Sequence, residues 1–388
     1  MQLKSTLALA ALALATSGTM AQPAQGVSKN EILIGSIQDL SGPIAAFGKQ
    51  VRFGMQLRVD ELNEQTGGIH GRKIKLLIED SQYDPKKAVL AAQKLVNQDK
   101  IFAMLAHLGT TSNLATMPIQ FAKNVPNLSP ITASKEMYEP YHKLKFGFSA
   151  SYFDQMRIYL PKLVKEKGSK KVCTIYQDDD FGTEVMQGAE AGLKTMGMTL
   201  VEKTTYKTGA TDFSSQVARM KAADCDMVVL GTIIRETIGT IGTAKRSGFN
   251  PVFIGSSAVY TDLIHKLGTR AMDGLYSTMT VQNPYLDAAS QPIRFWATKY
   301  QTKFNEEPTV FSVYGYAAVD NFITAAQKAG PNLTTDSLIK ALETTTFPTD
   351  IFGSPEVKFG PNKRQGSDLT RLSQIVEGKW KVISDYAR

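Results

Sequence analysis

The chain has 388 residues and two cysteines, with 44 Lys and Arg against 36 Asp and Glu for a formal net charge of +8. Its basic residues are scattered along helical faces, without runs or interleaved aromatics, which argues against nucleic acid and for a solvated surface. The two cysteines lack metal-type spacing, so no metal site is expected from them.

Lys4, the apolar run Leu7 to Ala15 and the small residues Ser17 to Ala21 predict a signal peptide over residues 1–21. The apolar core is short of the ~20 residues a spanning helix needs, and no later stretch reaches that length. No lipobox-type cysteine follows, so a soluble exported protein is expected. Its charge falls to +7 because the leader holds one lysine and no acid. About 365 residues remain, enough for two lobes with separate cores. Cys173 and Cys225 open apolar runs expected to become neighbouring strands. In an oxidising compartment they could pair, but two buried free thiols are the expectation.

Glu31 to Ile37 reads as a strand, Ser41 to Gly48 as a loop, and Val51 to Leu62 as a helix stopped by Thr66-Gly67-Gly68. Lys73 to Glu79 is strand, and Asp84-Pro85 caps a helix running through Val96. Strands over Ile101–Ala106, Val125–Ser129 and Lys145–Ser149 follow. Between the first two, Gly109-Thr110-Thr111-Ser112 opens a helix. A strand ending in glycine and hydroxyl residues before a helix makes an anion site, because first-turn N–H groups lack intrahelical partners and the helix dipole is positive there.

The alternation then restarts, with strands Lys171–Tyr176, Thr199–Tyr206, Met227–Gly231, Val252–Gly255 and Gly274–Thr280. The helices between them span Thr183–Met196 and Phe213–Ala222, then run to Arg246 and Leu267. Two βα series of similar size predict an α/β chain of two similar lobes, each a doubly wound parallel sheet. After Gln282-Asn283-Pro284 come helices Ile293–Phe304, Val313–Lys328 and Leu338–Thr345, then short strands over Gly353–Phe359 and Leu369–Ile383. A chain that visits one lobe, then the other, then returns forms crossovers that act as a hinge over a cleft.

An enzyme reading finds a fold without chemistry. The first strand-to-helix loop lacks GxGxxG and GxxxxGK[ST], and Pro43 removes an N–H that a phosphate cradle would use. There is no GxSxG and no HExxH, so no nucleotide, metal or other cofactor is expected. Of the four histidines (His70, His107, His142 and His265), only His107 ends the key strand, where orienting the loop is its expected role. Asp178-Asp179-Asp180 reads as a polar loop and helix cap, since three consecutive carboxylates cannot all face one ion.

Ile34-Gly35, Ser41-Gly42-Pro43, Gly67-Gly68-Ile69-x-Gly71, Glu79-Asp80, Asp84-Pro85, His107-Leu108 and Ser129-Pro130 recur in an order resembling one family. They are followed by Tyr176-Gln-Asp-Asp-Asp-Phe-Gly182, Asp212-Phe213-Ser214 and Tyr314-Gly-Tyr316-Ala-Ala318. Together they look like the periplasmic substrate-binding proteins of branched-chain amino-acid (Liv-type) ABC transporters, across essentially the whole mature chain. The resemblance implies the type I periplasmic-binding-protein fold with three crossovers, a periplasmic monomer, a small-molecule ligand and a membrane permease as partner. It divides the chain into lobe 1 (27–149 plus 281–352) and lobe 2 (150–280 plus 353–388).

By that resemblance the ligand carboxylate falls to Thr110 and Thr111, beside His107-Leu108, and to the loop Ile131-Thr132-Ala133-Ser134. Phe47, Tyr152, Phe181, Ile233 and Tyr260 supply walls, and Ser256, Ser257 or Arg235 meets a ring substituent. The second-lobe acid that receives a ligand ammonium in amino-acid binders is replaced by Gly255-Ser256-Ser257-Ala258, unless Asp154 restores it. An ammonium buried without a counter-charge costs several kcal/mol. The expected ligand is therefore a carboxylate without an α-amino group, favouring aromatic acids of the benzoate or cinnamate kind. Hydrophobic or branched-chain amino acids are the alternative, and a sensory protein presenting its closed form to a receptor is the second. The family's first-lobe disulfide places hold Tyr83 and Gly109, so both partners of that bridge are absent together.

Overall fold

The computed structural model describes residues 24–388, so the expected signal peptide lies outside the described residues. The first sheet contains β1 (Glu31–Gln38), β2 (Lys73–Asp80), β3 (Ala103–Leu105), β4 (Asn127–Leu128) and β5 (Lys145–Phe146), all parallel, in the order β2-β1-β3-β4-β5. The second contains β6 (Val172–Gln177), β7 (Leu200–Tyr206), β8 (Met227–Gly231), β9 (Val252–Gly255) and β10 (Tyr276–Met279). Their order β7-β6-β8-β9-β10 repeats the first pattern. Each lobe therefore has a topological switch point, between β1 and β3 and between β6 and β8. Ligands on such sheets sit at the carboxyl ends of the strands beside that point. β8 is buried along its whole length, as a strand covered on both faces must be.

The helices cover both sheets. α1 (Ala45–Thr66) begins earlier than expected and takes in Phe47, which stands on its first turn rather than in a loop. Asp39 causes this by accepting from the N–H groups of Gly42 (2.5 Å) and Ile44 (2.8 Å), folding the chain straight into the helix. α2 (Pro85–Gln93) is capped by Asp84 and ends in a wider turn over Lys94–Gln98. α3 (Thr110–Phe121) follows β3.

α4 (Tyr152–Lys167) joins the lobes and has no counterpart in the sequence reading, which passed from Ser149 to Lys171 without a helix. Its caps are nevertheless present, with Ser151 accepting from Asp154 N–H and Gly168 closing the far end in a left-handed conformation. In the second lobe α5 (Asp180–Lys194), α6 (Ser214–Ala222), α7 (Ile234–Arg246) and α8 (Asp262–Gly268) alternate with strands. Asp179 caps α5 by accepting from Gly182 N–H at 3.0 Å.

The chain returns to the first lobe through α9 (Gln291–Phe304), α10 (Val310–Ala329) and α11 (Thr335–Thr344). α1 and α10 cross so closely that a Cβ on Gly54 would lie 1.9 Å from Ser312 O, and one on Gly315 2.2 Å from Val51 O. That approach presses the Phe47 and Phe311 rings together at 3.6 Å between centroids.

β11 (Thr346–Phe347) pairs with β12 (Val357–Lys358). This segment remains with the first lobe: Phe359 meets Phe146 edge-on at 5.1 Å, and Gly147 bonds both Arg364 and Gly366. Only β13 (Arg371–Val376) and β14 (Lys379–Val382) join the second sheet. They do so as an antiparallel hairpin on β10, so the second sheet is mixed rather than wholly parallel.

The cysteines correct the sequence reading. Cys173 and Cys225 form a disulfide, with Cα atoms 6.0 Å apart, rather than two free thiols. Cys225 precedes β8 by two residues and β8 pairs beside β6, so register carries both side chains to one spot.

Candidate functional site

The carboxyl ends of β3 and β4 carry two loops that run together. Leu108 bridges Ile131, Ile131 N–H donates to His107 O (2.8 Å), and Gly109 N–H donates to Ile131 O (3.2 Å). Asn113 reinforces the first loop by donating to His107 O (2.9 Å) and Gly109 O (2.7 Å). This zipper brings the buried Thr110 and Thr132 hydroxyls to 2.7 Å from each other. Thr110, Thr111 and Ser112 open α3, so helix geometry leaves their N–H groups without partners in the helix. The Tyr152 phenol lies beside the Ala133 N–H and the Thr132 hydroxyl. Burial raises its ionisation to about 12, and those two donors offset part of that rise. Neutral donors thus converge on one point at the positive end of a helix, an arrangement that binds an anion without a cation.

The rest of the cleft is apolar. Of the residues named from the sequence, Phe47, Leu108, Ile131, Ala133, Tyr152, Phe181, Ile233 and Ser257 line it together with Thr110 and Thr132. Tyr152 and Phe181 meet edge-to-face at 5.0 Å. Nine further lining residues were not foreseen: Ile44, Tyr83, Gly109, Phe148, Ser149, Ala258, Thr280, Phe311 and Tyr314. None of the lining residues is Asp, Glu, Lys, Arg or His. The cleft between the lobes holds a cavity of about 60 Å³.

Six expected residues stand outside the lining. His107 is wholly buried, with Nδ1 3.3 Å from Thr116 Oγ1, and burial holds its ionisation down to about 3. It is a neutral part of the scaffold. Thr111 turns away and donates to Asp180 at 3.2 Å. Ser134 caps a single turn over Lys135–Met137. Ser256 is buried in the second sheet, its carbonyl accepting from Ser277. Tyr260 faces Trp380 at 5.1 Å and accepts from Asn283 N–H. Arg235 is exposed. Asp154 is not among the lining residues either, and its carboxylate is held by Arg157 (2.9 and 3.0 Å) and Ser151 (2.9 Å). Ser257 is fixed by Gln155, which accepts from its N–H (2.8 Å) and donates to its hydroxyl (3.0 Å).

Tyr83 and Gly109 are neighbours. The ring lies over the glycine so closely that a Cβ there would be 2.9 Å from Tyr83 Cε2, and Gly109 has φ of +96°. The Tyr83 hydroxyl accepts from Gln177 of the second lobe at 3.4 Å. Two more polar contacts span the lobes at the same end of α5: Thr111 with Asp180, and Lys135 N–H with Glu184 (2.9 Å). Burial pushes the Glu184 carboxyl up, and bonds from Ser134 and Lys135 partly offset it.

A hinged pair of α/β lobes with a cleft lined by uncharged residues at facing switch points has the architecture of a solute-binding protein. Residues 31–379 match the periplasmic binding protein family, and the chain belongs to that family. An amino acid binding protein of Pseudomonas aeruginosa is 25% identical over 324 residues, 83% of this chain and 84% of the relative. A fatty acid ABC transporter substrate-binding protein from Thermomonospora curvata superposes with a TM-score of 0.84 at 22% identity, covering 94% of each chain. A solute-binding protein of an ABC transporter from R. palustris, in complex with benzoate, superposes with a TM-score of 0.80 at 18% identity. That match covers 91% of this chain and 96% of the other. Such structural likeness establishes the two-lobed fold. Members of this family bind solutes and work with ABC transporters, and no helix among the described residues is long and apolar enough to cross a membrane.

Proposed function

We propose that this protein is exported and captures a small carboxylate lacking an ammonium group, favouring an aromatic acid, for an ABC importer. The carrying observation is a cleft lining of neutral donors and apolar walls, with no carboxylate to receive an amine. Desolvating an unpaired ammonium there would cost several kcal/mol, enough to lose amino acids by two or more orders of magnitude. An anion is served differently, by the Thr110 and Thr132 hydroxyls, the Ala133 N–H and the start of α3. The ligand first meets these groups on the first lobe. Closure then adds Phe181, Ile233 and Ser257, shifting the population toward the closed form that a permease reads.

The amino acid binding relative, and others named as Leu/Ile/Val-binding protein homologues, favour a second reading, a hydrophobic amino acid. On that reading Asp179 and Glu236, carboxyls raised by burial and set behind Tyr83, offer the compensation. Titration calorimetry with benzoate, cinnamate, leucine and isoleucine separates the two. Tight leucine binding with no benzoate binding would overturn the proposal.

A further inference from the structure

A second, larger cavity of about 590 Å³ lies behind the cleft at the hinge. Phe148 and Tyr314 belong to both linings and form the wall between them, with ring centroids 5.6 Å apart. Phe148 stands on the first crossover. Val281, on the second, also lines the hinge cavity, and the next residue, Gln282, donates its N–H to the carbonyl of Phe352 in the far wall. The cavity's lining includes the apolar Val281, Phe347, Phe352 and Val357, together with the polar Ser129, Asp350 and Ser354. The outer end carries the Arg58–Asp320 pair (2.7 Å) and opens to solvent between the exposed Gln65, Thr324 and Ile351.

The two volumes do not suit a compact ligand. The cleft's 60 Å³ is well under the roughly 150 Å³ in which an engineered apolar cavity holds benzene. The hinge cavity has nearly ten times the cleft's room, one aromatic pair away. The two members of that pair are not equally fixed. Tyr314 is buried and its hydroxyl meets Thr280. Phe148 is only half-buried and carries no polar anchor, although the chain beside it is pinned by bonds from Gly147 to Arg364 and Gly366. A turn of the Phe148 side chain would therefore join the two spaces without moving the backbone.

We infer that the ligand's body runs past Phe148 and Tyr314 into the hinge cavity, making the preferred class an elongated carboxylate rather than a compact one. Phenylalkanoates and medium-chain fatty acids have this form. The inference rests on carboxylate capture at Thr110 and Thr132. The carboxylate stays at α3, the tail buries apolar surface between the crossovers, and chain length becomes a determinant of specificity.

The test is calorimetry on the full mature protein with benzoate, phenylacetate, 3-phenylpropanoate, 4-phenylbutanoate and 5-phenylpentanoate. Affinity is expected to rise about fourfold for each methylene placed beyond the partition, the yield of burying one CH₂. Ala318→Leu, at a position that does not line the cleft, narrows the hinge cavity one helical turn from Tyr314, and Ile351→Trp narrows it at an exposed position of its lining. Either folded variant should lose the gain for the longer acids and keep the benzoate value. A flat series, or a gain that survives both variants, overturns the tail site while leaving carboxylate capture standing. Failure of every acid, short and long, removes both.

Discussion

Thr110→Val is the most direct probe of the anion site. Valine keeps the branched shape at the first position of α3 and removes only the hydroxyl, so the apolar wall is unchanged. Thr110 is 2% exposed, and its hydroxyl has Thr132 as its partner at 2.7 Å. A hydrogen bond to a charged group contributes about 1.5–3 kcal/mol, which at about 1.4 kcal/mol per decade corresponds to a roughly 10- to 150-fold weaker Kd. Part of the change falls on stability, because Thr132 loses a buried partner at a cost of about 1–3 kcal/mol. Titration calorimetry with the tightest-binding acid measures the first quantity, and urea unfolding of the ligand-free protein measures the second. If stability falls while Kd stays within threefold, the threonine pair is structural and the anion lies elsewhere.

Four further outcomes follow from the geometry. Replacing both Cys173 and Cys225 by serine opens a loop with a sequence separation of 52, for which chain entropy gives about 4 kcal/mol; a urea midpoint equal to wild type would contradict a formed bridge. His107 has its ionisation lowered to about 3 in the fold against about 6.5 unfolded, so its stabilising contribution is full above about pH 6.5 and is lost as pH falls toward 3. At pH 5 the loss is about 2 kcal/mol, and His107→Gln should flatten the stability–pH slope between pH 5 and 6.5. Glu184→Ala removes the acceptor for Lys135 N–H and should shift small-angle scattering of the empty protein toward an open shape. Arg235→Ala, outside the cleft, should leave Kd within twofold in the calorimetry used above.

Much of the fold is legible in the sequence because parallel strands buried on both faces are short apolar runs. Met227–Gly231 and Val252–Gly255 are strands at the bounds their composition indicates. α4 escaped because Pro161 interrupts it and four lysines and glutamates crowd its second half, masking an apolar face that the structure buries. Its signals were the Ser151 cap and Gly168. The cysteine pair escaped because bonding depends on the register of β6 against β8, which local composition does not encode. In the site, residues on strand-end loops were legible, as with Thr110 and Thr132. Those supplied by crossovers and by a helix from the far end of the chain were not. Phe148, Thr280, Phe311 and Tyr314 reach the cleft only through the α1–α10 packing and the hinge path. Arg235 and Ser256 lie outside the lining although they neighbour lining residues in sequence.

The three contacts that tie the end of β6 and the start of α5 to the first lobe have a consequence for how an importer is run. They involve only the protein's own groups, so they hold the lobes together whether or not cargo is present. Affinity benefits, since less of the ligand's binding energy goes into closing the hinge. The permease, however, senses shape. Each contact that stabilises the empty closed form adds docking events that deliver nothing, and these occupy the same surface that loaded molecules need. Tight capture at scarcity and clean discrimination between full and empty carriers are therefore opposed here, and the balance rests on Tyr83, Asp180 and Glu184.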